Sequence, residues 1–182
     1  MAVAAEEIIA FWREAGPRKW FAKDEAFDAT IAARFASVHH EAARGEHDAW
    51  IETPDGALAL VLLFDQFPRH IFRGSAHAFA TDPLARSRAR AALDAGHDLA
   101  VDPGLTSFFY MPFMHAEDLA DQDLGVELFE RLEREGQGSA RWARDHRGII
   151  ARFGRFPHRN ARLGRATTAE EHAFLDGGGF AG

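Results

Sequence analysis

Leu58-Ala59-Leu60-Val61-Leu62-Leu63-Phe64-Asp65-Gln66-Phe67-Pro68-Arg69-His70-Ile71-Phe72-Arg73-Gly74 begins with seven apolar residues and then turns polar. A run of that length fits a buried strand or a buried helix. Ala and Leu are better helix formers than sheet formers, and the run is entered from Thr53-Pro54-Asp55-Gly56, so it reads as a helix apolar on all sides. Asp65 lies seven residues after Leu58 and four after Val61, which continues the buried face and turns the carboxylate inward. An ionised carboxylate in such surroundings loses several kcal/mol of solvation unless it is paired. Arg69 and Arg73 follow at four-residue steps, and either guanidinium can grip Asp65 through a two-pronged hydrogen bond. Pro68 is expected to end or kink the helix between them. Two readings follow: a lock that pins the helix end, or a site in which Asp65 orients one arginine while the other holds an anion.

The remaining chain also reads as helical. Ile8, Ile9, Phe11 and Trp12 form a short apolar patch stopped by Gly16-Pro17. Phe27, Ile31, Phe35, Val38 and Ala42 recur at helical spacing between the N-cap candidate Asp24 and Gly45. Asp82-Pro83 is read as an N-cap and first-turn proline opening a helix to about Ala95. Asp102-Pro103 is expected to open a further helix through Phe108 to Phe113, bent by Pro112. From Glu117 to Glu135 eight acids face only Arg131 and Arg134, whereas from Arg141 to Arg165 eight arginines face only Asp145. Such neighbours joined by a short connection should lie antiparallel with their charges opposed. Thr167-Thr168-Ala169-Glu170-Glu171 caps a last helix, and the tail around Gly177-Gly178-Gly179, within residues 170–182, is expected to fray. No segment alternates as a strand. The expectation is an all-α array of stacked helix hairpins in one domain, residues 1–182, with no linker.

At 182 residues the chain can bury a full core. A net charge of −7 repels polyanions and argues against nucleic-acid and anionic-membrane partners. Cysteine is absent, which removes disulfides, thiolate nucleophiles and Cys-based zinc sites and makes the cytoplasm the natural compartment. The N-terminus lacks the basic start and apolar stretch of a signal peptide, and no segment approaches the roughly 20 apolar residues of a membrane span. Glycine loops for phosphates or dinucleotides, the Gly-x-Ser-x-Gly elbow and His-Glu-x-x-His are all missing, so neither cofactor nor metal is expected.

The first motif has an echo about ninety residues on, Arg152-Phe153-Gly154-Arg155-Phe156-Pro157-His158-Arg159-Asn160. His146 lies on the apolar stripe of Trp142, Ile149, Ile150 and Phe153 just before it. His115 and Glu117 follow the aromatic helix, with Asp121-Gln122 a turn later. A histidine beside a carboxylate can act as a general base or bind a metal; with the metal-site spacings missing, His115, Glu117 and His146 are taken as catalytic candidates. Were the two Phe-Pro corners to meet, Asp65, Gln66, Arg69, Arg73, His115, His146, His158 and Arg159 would line one pocket rich in Arg, His and Asp.

Leu-Leu-Phe-Asp65-Gln66-Phe67-Pro68-Arg69, Phe72-Arg73-Gly74, Ala80-Thr81-Asp82, Tyr110-Met111-Pro112-Phe113 with His115 and Glu117, Asp121-Gln122, and Phe156-Pro157-His158-Arg159-Asn160 with Leu163-Gly164-Arg165 together resemble the bacterial domain of unknown function 924 family. The resemblance runs from about Ile8 to Leu175, and Asp-Gln-Phe-Pro-Arg is its most specific part. It implies a right-handed α/α superhelix similar to tetratricopeptide proteins, and it assigns no reaction. His70 stands where Asn is expected, and Ala116 where Ser is common.

The functional expectation is a soluble cytoplasmic protein holding a small anionic ligand or a carboxylate-bearing peptide. The alternatives are hydrolysis of an anionic substrate, with arginines stabilising developing charge, and a helical scaffold for protein partners. Enzyme or binding protein, and the oligomeric state, stay open at the level of sequence.

Overall fold

The computed structural model describes residues 3–180, which form helices and turns with no strand among them. The expectations for Met1 and Ala2, and for Ala181 and Gly182 at the end of the tail, lie outside the described residues. The contacts cluster into two compact units: Met1–Arg73 with His77–Pro112, and Gly74–Ala76 with Phe113–Gly182.

The first unit holds α1 (Ala5–Ala15), the single turn α2 (Pro17–Trp20), α3 (Glu25–Ala43), α4 (Pro54–Val61), α5 (Phe67–Ile71) and α6 (Asp82–Asp94). Asp24 caps α3 as expected, its Oδ1 accepting from the amides of Ala26 and Phe27 at 3.0 Å each. Every residue of α4 from Gly56 to Val61 is buried, with α1 on one side and α6 on another. Gly56 is required there, because a Cβ would fall 2.2 Å from the Trp50 carbonyl oxygen. Trp12, Phe35, Phe67 and Phe108 are fully buried, with Phe67 5.0 Å from Phe35 and 5.4 Å from Trp12. Such ring pairs add about 0.5–1.5 kcal/mol each beyond the area they bury. They fix α5 against α3.

Pro68 does not end the helix. The chain stays helical from Pro54 to Ile71 by widening to a π-helical turn over Leu62–Gln66, where the Phe67 amide donates to the carbonyl five residues back, Leu62. Proline has no N–H to give the turn before it, and side chains from elsewhere make up the loss. His39 Nδ1 lies 2.8 Å from the Leu63 carbonyl, and the Thr81 hydroxyl donates to the Phe64 carbonyl at 2.7 Å. A carbonyl can only accept, so His39 carries its proton on Nδ1. Burial drives the His39 pKa down, which keeps this neutral form in place.

Two other boundaries differ from expectation. Thr81, not Asp82, stands at the N-cap of α6, and Asp82 is the first helical residue. Thr81's hydroxyl is engaged by Phe64, and Asp82 is turned to another partner described below. Asp102-Pro103 makes a turn, with Asp102 Oδ1 accepting from the Gly104 amide at 2.9 Å, and α7 (Ser107–Met114) begins only afterwards. Pro112 sits inside α7 and is the last residue of the first unit.

The second unit holds α8 (Leu119–Arg134), α9 (Arg141–Phe153), a 3-10 turn over Pro157–Arg159 and α10 (Ala169–Asp176). Asp118 caps α8 through the Asp121 amide at 3.0 Å. The acidic and basic helices run antiparallel with their charges opposed: Arg144 reaches Glu130 and Glu133 at 2.9 and 2.8 Å, and Arg147 reaches Asp123 at 2.8 Å. These pairs are exposed and screened by solvent. They set register more than stability. Ile149, Ile150 and Phe156 form the core under α9, with Phe153, Phe174 and Phe180 packed against it.

Thr168 and Glu171 complete a reciprocal capping box on α10. Gly177 to Gly179 form a turn. The Gly179 amide donates to Phe174 O at 2.9 Å and the Gly178 amide to Leu175 O at 3.2 Å, with Gly178 at φ +83°, a Schellman cap that turns the chain back.

Candidate functional site

The first Phe-Pro corner is built on the π-helical turn. Asp65 is fully buried there. Gln66 Nε2 donates to Asp65 Oδ2 at 2.6 Å and approaches Met111 Sδ at 3.4 Å. Arg69 Nη1 donates to the Asp65 backbone carbonyl and lies 3.3 Å from Asp65 Oδ1. The same nitrogen lies 3.1 Å from Asp82 Oδ1, and Nη2 donates to Asp82 Oδ2 at 3.3 Å. Arg69 is therefore gripped by two carboxylates. Burial pulls its pKa down, but the charges of Asp65 and Asp82 outweigh that and hold it above the ordinary arginine value.

Arg73 does not pair with Asp65. Its Nε and Nη2 donate to Asp28 Oδ2 and Oδ1 at 2.5 and 2.8 Å, a two-pronged grip on α3, and His70 Nδ1 lies 2.7 Å from Asp28 Oδ1. Burial pushes the Asp28 pKa up, yet the hydrogen bonds from Arg73 and His70 leave it below the usual carboxylate range. Both arginines of this corner hold the protein's own acids.

The second corner is a different construction. Glu117 receives both arms of Arg165, at 2.6 and 2.9 Å, and the Phe156 amide at 2.8 Å. Burial raises its pKa, but these donors win and leave it lowered. Arg155 grips Glu171 with two bonds of 2.6 and 2.8 Å, and Asn160 Nδ2 and the Thr168 amide join them. The Arg155 bonds, helped by Thr168 and Asn160 against the effect of burial, take the Glu171 pKa down to about 2. Both acids are thus committed.

Around Phe156 stand imidazoles and one further arginine. The ring centroids of His146 and His158 lie 5.4 and 5.5 Å from that of Phe156, and the Arg159 guanidinium lies 4.7 Å above it. His115 is 6.4 Å from His146, ring to ring. Arg159 Nη2 donates to the His115 carbonyl at 3.1 Å, while Gln122 Nε2 donates to the flanking carbonyls of Met114 and Ala116 at 2.7 Å each. These are carbonyls at the C-terminal end of α7, which a helix cannot satisfy internally. His146 Nδ1 bonds to the Trp142 carbonyl one turn back, at 2.8 Å, which places its proton on Nδ1.

His158 Nδ1 is buried with no hydrogen-bond partner among the described residues. Burial, and then the positive neighbours Arg159, His146 and Arg162, push the His158 pKa down to about 3, with only Glu117 pulling the other way. That ring is neutral near pH 7 and too weak a base to collect protons there.

The sequence candidates thus divide. Asp65, Gln66, Arg69 and Arg73 belong to the first unit, whereas His115, Glu117, His146, His158 and Arg159 belong to the second and gather there around Phe156. As partners, Asp28 and Glu171 escape sequence reasoning, and Asp82 and Arg165, though inside the motifs quoted above, carry no spacing that pairs them with Arg69 and Glu117. No group of three or more His, Asp or Glu side chains among the described residues is arranged to hold a metal. No helix among them is long and apolar enough to cross a membrane. An open hollow of about 400 Å³ in the first unit, bordered by Val3, Glu6, His47, Trp50 and Gly56, contains none of the candidates.

No curated protein matches the chain. A solved structure of a protein of unknown function from Agrobacterium tumefaciens is similar over 95% of this chain and 97% of that one, at 51% identity with a TM-score of 0.90. The family model described as bacterial protein of unknown function, DUF924, matches residues 8–179, with both Phe-Pro corners and their partners inside that span, and the chain belongs to that family.

Proposed function

We propose that the protein binds a small anion, a phosphate or carboxylate group, at the second Phe-Pro corner, with His158 and Arg159 as its principal contacts and His146 and His115 beside them. The observation that carries this reading is the division of charge in that unit. Glu117 and Glu171 are held by Arg165 and Arg155, and the imidazoles and Arg159 gather on Phe156. Burial first, and then the positive charge of Arg159, His146 and Arg162, lowers the His158 pKa, and it is the second contribution that favours an anion. The first corner serves as a lock in this reading, its arginines closed on Asp65, Asp82 and Asp28. The lack of cysteine supports a cytoplasmic setting.

Hydrolysis receives less support from the same geometry. Glu117 is engaged by Arg165 and the Phe156 amide, which leaves it poorly placed to orient a catalytic histidine.

Titration with inorganic phosphate and with succinate, followed by calorimetry at pH 6 and pH 8, tests the proposal. Saturable binding that persists at both pH values and is lost in Arg159→Gln is expected, because Arg159 keeps its charge across that range while His158, with a pKa of about 3, stays neutral. Absence of saturable binding of either anion at both pH values overturns it.

A further inference from the structure

The proposed anion site is covered by Phe180, which follows α10. The Phe180 ring lies 4.5 Å from His146 and 5.0 Å from His158, centroid to centroid, and 6.4 Å from Trp142. It reaches them through the Schellman turn at Gly177 to Gly179. The turn has little tolerance. A Cβ on Gly179 would lie 2.6 Å from the Phe174 carbonyl oxygen and equally close to two atoms of the Phe174 ring, well inside contact distance.

We propose that Gly177–Phe180 is a hinged strap and that Phe180 is a lid, so that ring and anion compete for the imidazoles of His146 and His158. The proposal rests on the anion reading of the second corner. Three features favour a lid over a permanent core residue. Phe180 is only partly buried, it hangs from a glycine hinge, and it rests against polar rings rather than solely on the Ile149–Ile150–Phe156 core. The His158 nitrogen that lacks a protein partner lies in the ring this aromatic covers. When the strap lifts, those rings meet solvent and ligand; when it closes, they are shielded.

Two substitutions in the full-length protein separate lid from hinge. Phe180→Ala removes the ring and leaves the turn; Gly179→Ala keeps the ring and forces the turn open. Acylation of individual histidines by diethyl pyrocarbonate, mapped by mass spectrometry, reads access without any ligand. His40 and His77, both exposed in the first unit, serve as internal references. Faster acylation at His146 and His158 in both variants, with His40 and His77 unchanged, is expected. Because apparent affinity scales with the open fraction, phosphate should bind at least about threefold more tightly in both variants.

Wild-type acylation rates in both folded variants would overturn the strap. Faster acylation with equal phosphate affinity in all three proteins would overturn the competition. Faster acylation with no phosphate binding in any of them would leave the strap standing and remove the anion site. Phe180→Ala alone decides the matter if Gly179→Ala fails to fold, as judged by circular dichroism.

Discussion

The two Phe-Pro corners share a sequence pattern and little else. At the first, Pro68 sits within a helix that widens to accommodate it, and the basic residues after it, Arg69 and Arg73, each close on carboxylates of their own unit. At the second, Pro157 opens a 3-10 turn, and the arginines that hold carboxylates, Arg155 and Arg165, lie outside the Pro-His-Arg motif itself. His158 and Arg159 lie against aromatic rings, and Arg159 also donates to the His115 carbonyl. A basic residue after Phe-Pro does not define a site; the location of the acids does.

The contrast is broken most severely by removing a buried acid at the first corner. Asp65→Ala leaves Arg69 with Asp82 as its remaining carboxylate and takes the acceptor from Gln66 Nε2 inside a buried turn, so urea unfolding should show a loss of about 3–5 kcal/mol. A loss under about 1 kcal/mol would mean that the pair is not a lock. Arg73→Met should cost less, about 1–3 kcal/mol, because Asp28 keeps His70 and partial access to water. It should leave phosphate binding unchanged. Weakened phosphate binding in Arg73→Met would move the anion site to the wrong corner.

Acid should act in both units, through His39, His70 and Asp28 in the first and through His158 and Glu171 in the second, where the shifts are large. His158 has a folded-state pKa near 3 against 6.5 for the free side chain, so below pH 6.5 the unfolded chain binds the extra proton and stability falls as pH drops toward 3. One group of this kind contributes a slope of up to about 1.4 kcal/mol per pH unit. Glu171, held at about 2 by Arg155, adds the same sign between its ordinary pKa of 4.5 and 2, since its stabilisation is present above 4.5 and lost on acidification. His158→Asn should flatten the stability curve between pH 4 and 6 in urea titrations. An unchanged curve would show that this ring is not held neutral.

The smallest effect belongs to the widened turn. Thr81→Val removes the donor to the Phe64 carbonyl and should cost about 0.5–1.5 kcal/mol. The nitrogen-15 shifts of His39 should report a proton on Nδ1.

Much of the helical fold was legible in the sequence. The caps at Asp24 and Thr168 and the opposed charges of α8 and α9 all follow from local pattern, because they join residues close in sequence or in adjacent helices. The misreadings come from competition between local and distant partners. Asp82 reads as a cap because Asp-Pro favours one, but Arg69 takes its carboxylate and Thr81 occupies the cap position. Pro68 reads as a stop or a kink because the sequence cannot show that His39 and Thr81 will satisfy the carbonyls it orphans. Gly177 to Gly179 read as a loose end because glycine signals both freedom and a Schellman cap; only the packing of Phe174 on Gly179 decides between them. The residues of the candidate site were visible from their types and motifs. Their division between two units was not, since spacing along the chain says nothing about which carboxylate each arginine finds.

The central claim is that anion binding belongs to the second corner and not to the first. The most direct measurement is a phosphate titration followed by the imidazole resonances of every histidine in one spectrum at pH 6.5. The account predicts that the signals of His158 and His146 shift together with a single saturating affinity, while His39 and His70, buried in the first unit, stay fixed. Movement of His70 with phosphate, with His158 unmoved, would contradict it.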